Sequence, residues 1–274
     1  MRNNQNRLGP AAAPHTVSAA ATIGLDFVVP TEFVGLPSRG RFYPSDHPLH
    51  NQETIEIKYM TAKEEDILAS VTLIEKGLVI DRLLESIIVA DLDPSTLLVG
   101  DRNAIMIAAR TSSYGKDYKA HLFCTECEHE QDYGFDLEKI NMQEKCFDQA
   151  FLSDNKILFN EESGNFDVLL PKAEITIGVK MLTGKDEVSG EKNKSDKVVT
   201  GMLARFITTV DGQSDQPLVS QFIENMLAAD SRYLRSILVD LTPNINLKQE
   251  FVCENCEVSK DREVPLSAEF FWPQ

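Results

Sequence analysis

Four of the five cysteines stand in two matched pairs, Cys124-Thr-Glu-Cys127 and Cys253-Glu-Asn-Cys256. A C-x-x-C turn between two strands aims both thiolates the same way and supplies half of a tetrahedral shell. Two such turns complete a four-thiolate site. Each pair follows a strand-like run, YKAHLFC and KQEFVC, and precedes another. Zinc is the metal this spacing favours, and an iron–sulfur cluster is the alternative that four thiolates also admit. A redox pair needs a single C-x-x-C at a helix N-terminus. Haem attachment needs histidine directly after the second cysteine, a position held here by Glu128, with His129 one residue later. Four thiolates leave no coordination position for water or substrate. Cys124, Cys127, Cys253 and Cys256 are therefore expected to hold structure and not to catalyse. His129 reads as a solvated neighbour, and Cys146, without a partner, as a small buried apolar residue.

For the two turns to meet, residues 143–246 must form an insertion between them. That makes the fold α+β: a helical body plus a small antiparallel β-hairpin module of zinc-ribbon type, built from residues 117–142 and 247–274. Upstream, residues 1–24 lack aromatics and apolar periodicity and read as a flexible arm. Residues 25–60 contain Pro30, Pro37, Pro44 and Pro48, which forbid a helix, and end in the alternating strand Thr54–Met60. The helical body takes residues 61–116. Thr61 and Glu64 make a capping box for a helix expected to reach Lys76. A second helix spans Val79–Val89, and a third, capped by Asp101 and poor in polar faces, runs to Arg110. Beyond the first hairpin a short helix is expected at Glu138–Lys145, then two strands within 164–182 divided by Pro171, then a mobile loop at 183–197. Helical periodicity follows over Val198–Val210 and Leu218–Ala228, and a helix capped by Asp230 over Ser231–Leu241. Strands Leu247–Cys253 and Arg262–Phe271 are expected last.

Lysine and arginine number 27 against 43 aspartates and glutamates, a net charge of −16. Binding to phosphate polymers or anionic membranes needs a basic surface, so neither is an expected partner. No apolar run reaches the length of a membrane span, and Pro10, Pro14 and His15 interrupt any export-signal core. An odd cysteine count without an export signal points to a reducing compartment, where cysteines hold metal more often than disulfides. The sequence contains neither H-E-x-x-H nor G-x-S-x-G. Gly178 to Gly184-Lys185-Asp186 has the wrong spacing for a phosphate loop and carries Asp where Ser or Thr must hold magnesium. Nothing here asks for an enzyme.

Gly35-Leu-Pro-Ser-Arg-Gly-Arg-Phe-Tyr43 resembles the opening of the T4-type phage baseplate hub and tail-assembly proteins. The T-A-K-E-E start at 61–65, G-D-R at 100–102, S-Y-G at 113–115, the two cysteine knuckles and the terminal Phe270-Phe271-Trp272-Pro273 resemble the same family in the same order. The resemblance implies a non-catalytic protein of a contractile-tailed phage, either built into the baseplate hub or acting during its assembly. Its partners would be other hub and tail proteins, within a symmetric assembly. Its location would be the virion tail, and the host cytoplasm during assembly. Aromatic residues and arginine anchor interfaces, which singles out Leu36, Arg39, Arg41, Phe42 and Tyr43, and Phe270, Phe271 and Trp272, as expected partner contacts. The opposing reading makes the last three the buried end of a strand. Two other functions fit the residues alone: a non-viral zinc-ribbon adaptor or regulator binding a protein, and a cell-wall hydrolase with an unrecognised carboxylate pair.

Overall fold

The structure, a computed structural model, describes residues 28–161, 163–187, 197–266 and 268–271. The chain is α+β, with small antiparallel sheets around a helical body. The strands are β1 (Thr31–Gly35), β2 (Thr54–Lys58), β3 (Asp117–Phe123), β4 (Glu130–Asp136), β5 (Asn141–Gln143), β6 (Ile157–Asn160), β7 (Asn165–Leu169), β8 (Thr176–Val179), β9 (Ile207–Val210), β10 (Asn244–Asn246), β11 (Lys248–Val252) and β12 (Ser259–Glu263). They pair as β1–β2, β3–β4, β5–β10 and β11–β12, with a four-stranded meander in the order β6-β7-β8-β9. One apolar cluster runs from Val34 to Phe271, and a second, smaller one gathers around Cys124, Phe251 and Cys253. Among the described residues no helix is long and apolar enough to cross a membrane.

The helix Val99–Tyr114 buries residues on all sides, from Gly100 and Asp101 to Ala109 and Arg110. Its neighbours are fixed to it through the segments that the sequence singled out as motifs. Asp101 accepts from the Ser38 amide at 3.0 Å, the Ser38 hydroxyl at 2.6 Å and the Tyr43 hydroxyl at 2.8 Å. Arg102 pairs with Asp81 at 2.8 Å and donates to the Pro94 carbonyl. Arg110 donates to the carbonyls of Phe270 and Gly115, and the Tyr114 hydroxyl donates to Glu65. Asp101 is not the N-cap: Leu98 takes that place, and Asp101 sits in the first turn, where the helix dipole favours a carboxylate. Asp230 departs from expectation in the same way. It lies in the first turn of Ala228–Leu241 behind Leu227 and accepts from the Lys172 and Ala173 amides at 2.9 Å.

Gly100 is dictated by backbone contact: a Cβ there would lie 1.9 Å from the Pro243 carbonyl oxygen. Both partners are main chain, so neither can swing aside. Gly100→Ala is therefore expected to cost about 3 kcal/mol, the upper end of overpacking penalties. A lowered urea midpoint with unchanged slope would register it, and an unchanged midpoint would contradict the packing described.

The capping box at Thr61 forms as the sequence predicts. The Glu64 carboxylate accepts from the Thr61 amide and hydroxyl and from Ser86 on the helix Val79–Ile87. Burial tends to raise the Glu64 carboxyl, but these donors outweigh it and hold the group below the usual carboxylate range. A depressed folded value means the stabilisation is present above the unfolded value and is lost as pH falls through the folded one. Thr61→Ala is expected to cost about 1 kcal/mol at neutral pH. The deficit should shrink on acidification below about pH 4, as thermal melts across pH would show; a pH-independent deficit would contradict it.

Several boundaries differ from expectation. The first helix stops at Leu68 and restarts as Val71–Glu75, because Ser70, a residue that favours caps over helix interiors, takes an extended conformation as the N-cap of the second helix. The helix expected at 138–145 is instead β5 between two 3-10 turns, because β10 supplies a ladder for Asn141–Gln143. The helix that opens at Val198 ends at Phe206, and Ile207–Val210 forms β9 against β8. The last expected strand ends at Glu263, and Ala268–Phe271 is a 3-10 turn. Pro171 does divide two strands, β7 and β8. Of the expected arm and loop, residues 1–24 and 188–196 lie outside the described residues, while 184–187 are helical.

Candidate metal centre

β3–β4 and β11–β12 are two hairpins, each turning through a C-x-x-C. The turns are built alike. The Glu128 amide bonds to the Cys124 carbonyl and the Glu257 amide to the Cys253 carbonyl, each at 2.9 Å. The Cys124 and Cys253 amides in turn bond to the carbonyls of His129 and Val258. Glu128 and Glu257, directly after the second cysteine of each pair, both adopt positive φ, 56° and 57°. That reversal sends the second strand back and leaves both sulfurs of each turn on one side.

The two turns face each other. Cys124 Sγ lies 3.7 Å from Cys256 Sγ, and Cys127 Sγ 3.6 Å from Cys253 Sγ. All four sulfurs fall within 4.8 Å of one another. A tetrahedral ion with metal–sulfur bonds of about 2.3 Å needs sulfur–sulfur edges of about 3.8 Å, so one ion fits with little adjustment. A cluster of several irons spreads its thiolates over different metals and needs a wider cage. The four sulfurs could therefore hold a single ion that accepts thiolates.

Proton affinities within the set diverge. The Glu126 and Cys127 amides lower the Cys124 thiol. The Asn255 side chain and the His129 amide bring Cys127 down to about 6. Cys256 also receives an amide bond, from Val258, yet burial and the neighbouring thiols push it up to about 12. Four sulfurs this close cannot all ionise alone; a cation removes that conflict by replacing the protons.

Residues beyond the cysteines hold the hairpins together. Gln131 donates to the Val252 carbonyl and accepts from the Glu254 amide. Gln249 makes the same two-way exchange with the Asp136 backbone, and the Tyr133 hydroxyl donates to the Glu250 carbonyl. Tyr133 also packs on Phe251, with ring centroids 5.1 Å apart. Lys260 pairs with Glu126 across the two hairpins. These supports were not singled out in the sequence, although one signal was there: Gln131, Tyr133 and Phe135 alternate, which puts a polar Gln131 on the apolar face of β4. His129 is exposed and Cys146 is buried, its thiol pushed up to about 12 by burial.

The residues expected at partner interfaces divide by burial. Leu36, Phe42, Tyr43, Phe270 and Phe271 are core residues of this chain, so for Phe270 and Phe271 it is the buried reading that the structure favours. Phe42 packs among Phe147, Phe159 and Phe166, and Phe270 against Tyr118 and Phe271. Arg39 and Arg41 remain at the surface over the Phe147 ring, with Glu144 and Glu161 as their ion-pair partners. Trp272 lies outside the described residues.

In comparison with known protein families, residues 34–272 match the T4 bacteriophage base plate protein family. The chain belongs to that family. It is a phage baseplate protein, and the matched span takes in residues 36–43, 61–65 and Phe270, which tie to the helix Val99–Tyr114, together with both cysteine turns. No curated protein and no solved structure matched the chain.

Proposed function

We propose that this chain is a structural or assembly component of the hub of a contractile phage tail baseplate, its fold stapled by one zinc ion on Cys124, Cys127, Cys253 and Cys256. The observation that carries the zinc is the set of four sulfurs at tetrahedral spacing; the family match supports the setting. The ion has all its positions filled by thiolates, so its role is to close the chain on itself and not to activate water. It fastens residues 247–271 to the middle of the chain, next to the point where the Phe270 carbonyl meets Arg110. We read the chain as an arm (1–24), an extended segment and strand (25–60), a helical body (61–116), a metal module (117–142 and 247–274) and an inserted α/β region (143–246) with its loop at 183–197. Other hub and tail proteins are its partners, with Arg39 and Arg41 as contacts, and it works without catalysis in the host cytoplasm and in the virion tail.

Quantitative mass spectrometry of purified particles, counting this chain against a tail-tube protein, tests the reading. A fixed small copy number makes it a built-in hub part. Absence from particles, with assembly failing when the gene is removed, makes it an assembly factor. Absence with normal assembly would overturn the proposal.

A further inference from the structure

The helix Ala228–Leu241 turns Leu234, Ile237, Leu238 and Leu241 into the core. Its opposite face carries Ala228, Arg232, Arg235 and Val239 at i, i+4, i+7 and i+11, one stripe of an α-helix, and all four are exposed. Val239 is 66% exposed, although a valine gains by burial. Arg232 and Arg235 stand one turn apart, where like charges repel, and the helix offers neither of them a carboxylate three or four residues away. Asp230 is near in sequence but is turned to the Lys172 and Ala173 amides. That contact brings Lys172 to the start of the helix. The Tyr233 hydroxyl, donating to the Asn155 carbonyl at 3.2 Å, brings Lys156 alongside. Both lysines are exposed. Among the described residues none of these four cations has an ion-pair partner, and Arg235 donates only to the Ser231 carbonyl, at 3.4 Å.

We propose that this helix face docks a carboxylate-bearing segment of another baseplate protein. Charge names the occupant. A chain of net charge −16 repels acidic partners over most of its surface. Here four cations gather, and the carboxylates beside the lysines in sequence, Asp154 and Glu174, make no ion pair with them. A guanidinium matches a carboxylate with two parallel hydrogen bonds, and arginine is enriched among the residues that anchor interfaces. Val239 adds an apolar contact at one end of the stripe, and Ala228 leaves room for close approach at the other. A basic partner would meet repulsion. A second copy meeting this face about a twofold axis would set the same arginines against each other. Arg39 and Arg41, by contrast, already have Glu144 and Glu161. The proposal rests on the reading of other hub and tail proteins as partners, and adds the chemistry of one of them.

Complementation tests it. Cells that supply the full-length chain are infected with phage from which its gene is removed, and infectious particles are counted. The pair Arg232→Glu with Arg235→Glu is expected to give at least about tenfold fewer particles than the unaltered chain, since one lost arginine anchor is worth about tenfold in affinity. The pair Arg232→Lys with Arg235→Lys keeps the charge and should restore most of the yield. All these changes lie at the surface, so melting temperatures should stay within about 2 °C of the unaltered chain's. If the glutamate pair melts lower, Arg232→Gln with Arg235→Gln makes the same comparison without a new charge. A glutamate pair as active as the unaltered chain would overturn the docking face and leave the hub reading standing. A lysine pair as inactive as the glutamate pair would overturn recognition by charge. Normal yield with no chain supplied would overturn the hub reading and this proposal with it. Self-association of the unaltered chain that the glutamate pair abolishes would assign the face to a second copy and overturn the proposal.

Discussion

Replacing Cys253 by serine is expected to release the metal and to lower the melting temperature by roughly 8–16 °C. That range corresponds to about 4 kcal/mol at about 2–4 °C per kcal/mol for a chain of this size. It is conservative, because structural zinc contributes about 10–16 kcal/mol in small metal-folded peptides, as much as the whole stability of a typical domain. The loss should be uneven. Among the described residues the buried members of the cluster beside the four sulfurs are Cys124, Phe251 and Cys253, and β11–β12 meet the main core at their ends, through Leu247 and Val264, whereas β3 and β4 reach it from within the strands through Tyr118, Ala120 and Phe135. Without metal, β11–β12 should therefore open first, and protease cutting should appear between Lys248 and Glu263 before it appears in β6–β9. Cys146→Ser is the control, since Cys146 lies in the main core, away from the four-sulfur set. A Cys253→Ser chain with an unchanged melt would contradict the staple.

Asp101→Ala is expected to cost about 3–5 kcal/mol, because three buried donors lose their acceptor at about 1–3 kcal/mol each and such losses do not add fully. The donors are the Ser38 amide, the Ser38 hydroxyl and the Tyr43 hydroxyl. Burial pushes the Asp101 carboxyl above its ordinary range against the pull of those donors. Tyr43→Phe should cost less, on the order of 1 kcal/mol, although it also removes the acceptor of the Leu98 amide. Chemical denaturation of the two variants measures both. Equal and small effects would mean that the network does not hold residues 36–43 to the helix.

The same network shows what the residues disclose on their own and what they do not. Four thiolates at two-residue spacing have few uses, so the convergence of Cys124, Cys127, Cys253 and Cys256 is legible from residue types and spacing alone. The division at Pro171 and the burial of the third helix are equally plain, because each follows from period or from backbone restriction. Exposure is not legible from residue type. Phe42, Tyr43, Phe270 and Phe271 have the chemistry of interface anchors, yet the chain spends them on its own core. Asp101 and Asp230 look like helix caps because aspartate caps helices. Their real partners are donors from distant segments, 63 and 58 residues away for Ser38 and Lys172. The strand Ile207–Val210 hides at the end of a helical period, and only its β-branched Ile-Thr-Thr-Val run marks it.

Native mass spectrometry of the full-length chain, purified without chelator, tests the metal staple most directly. One zinc per folded chain is expected, its mass offset by the protons that the thiols lose, and the same chain should become metal-free and partly opened after chelation. A folded chain that carries no metal, and that keeps the compact charge-state distribution of the untreated protein, would contradict the staple.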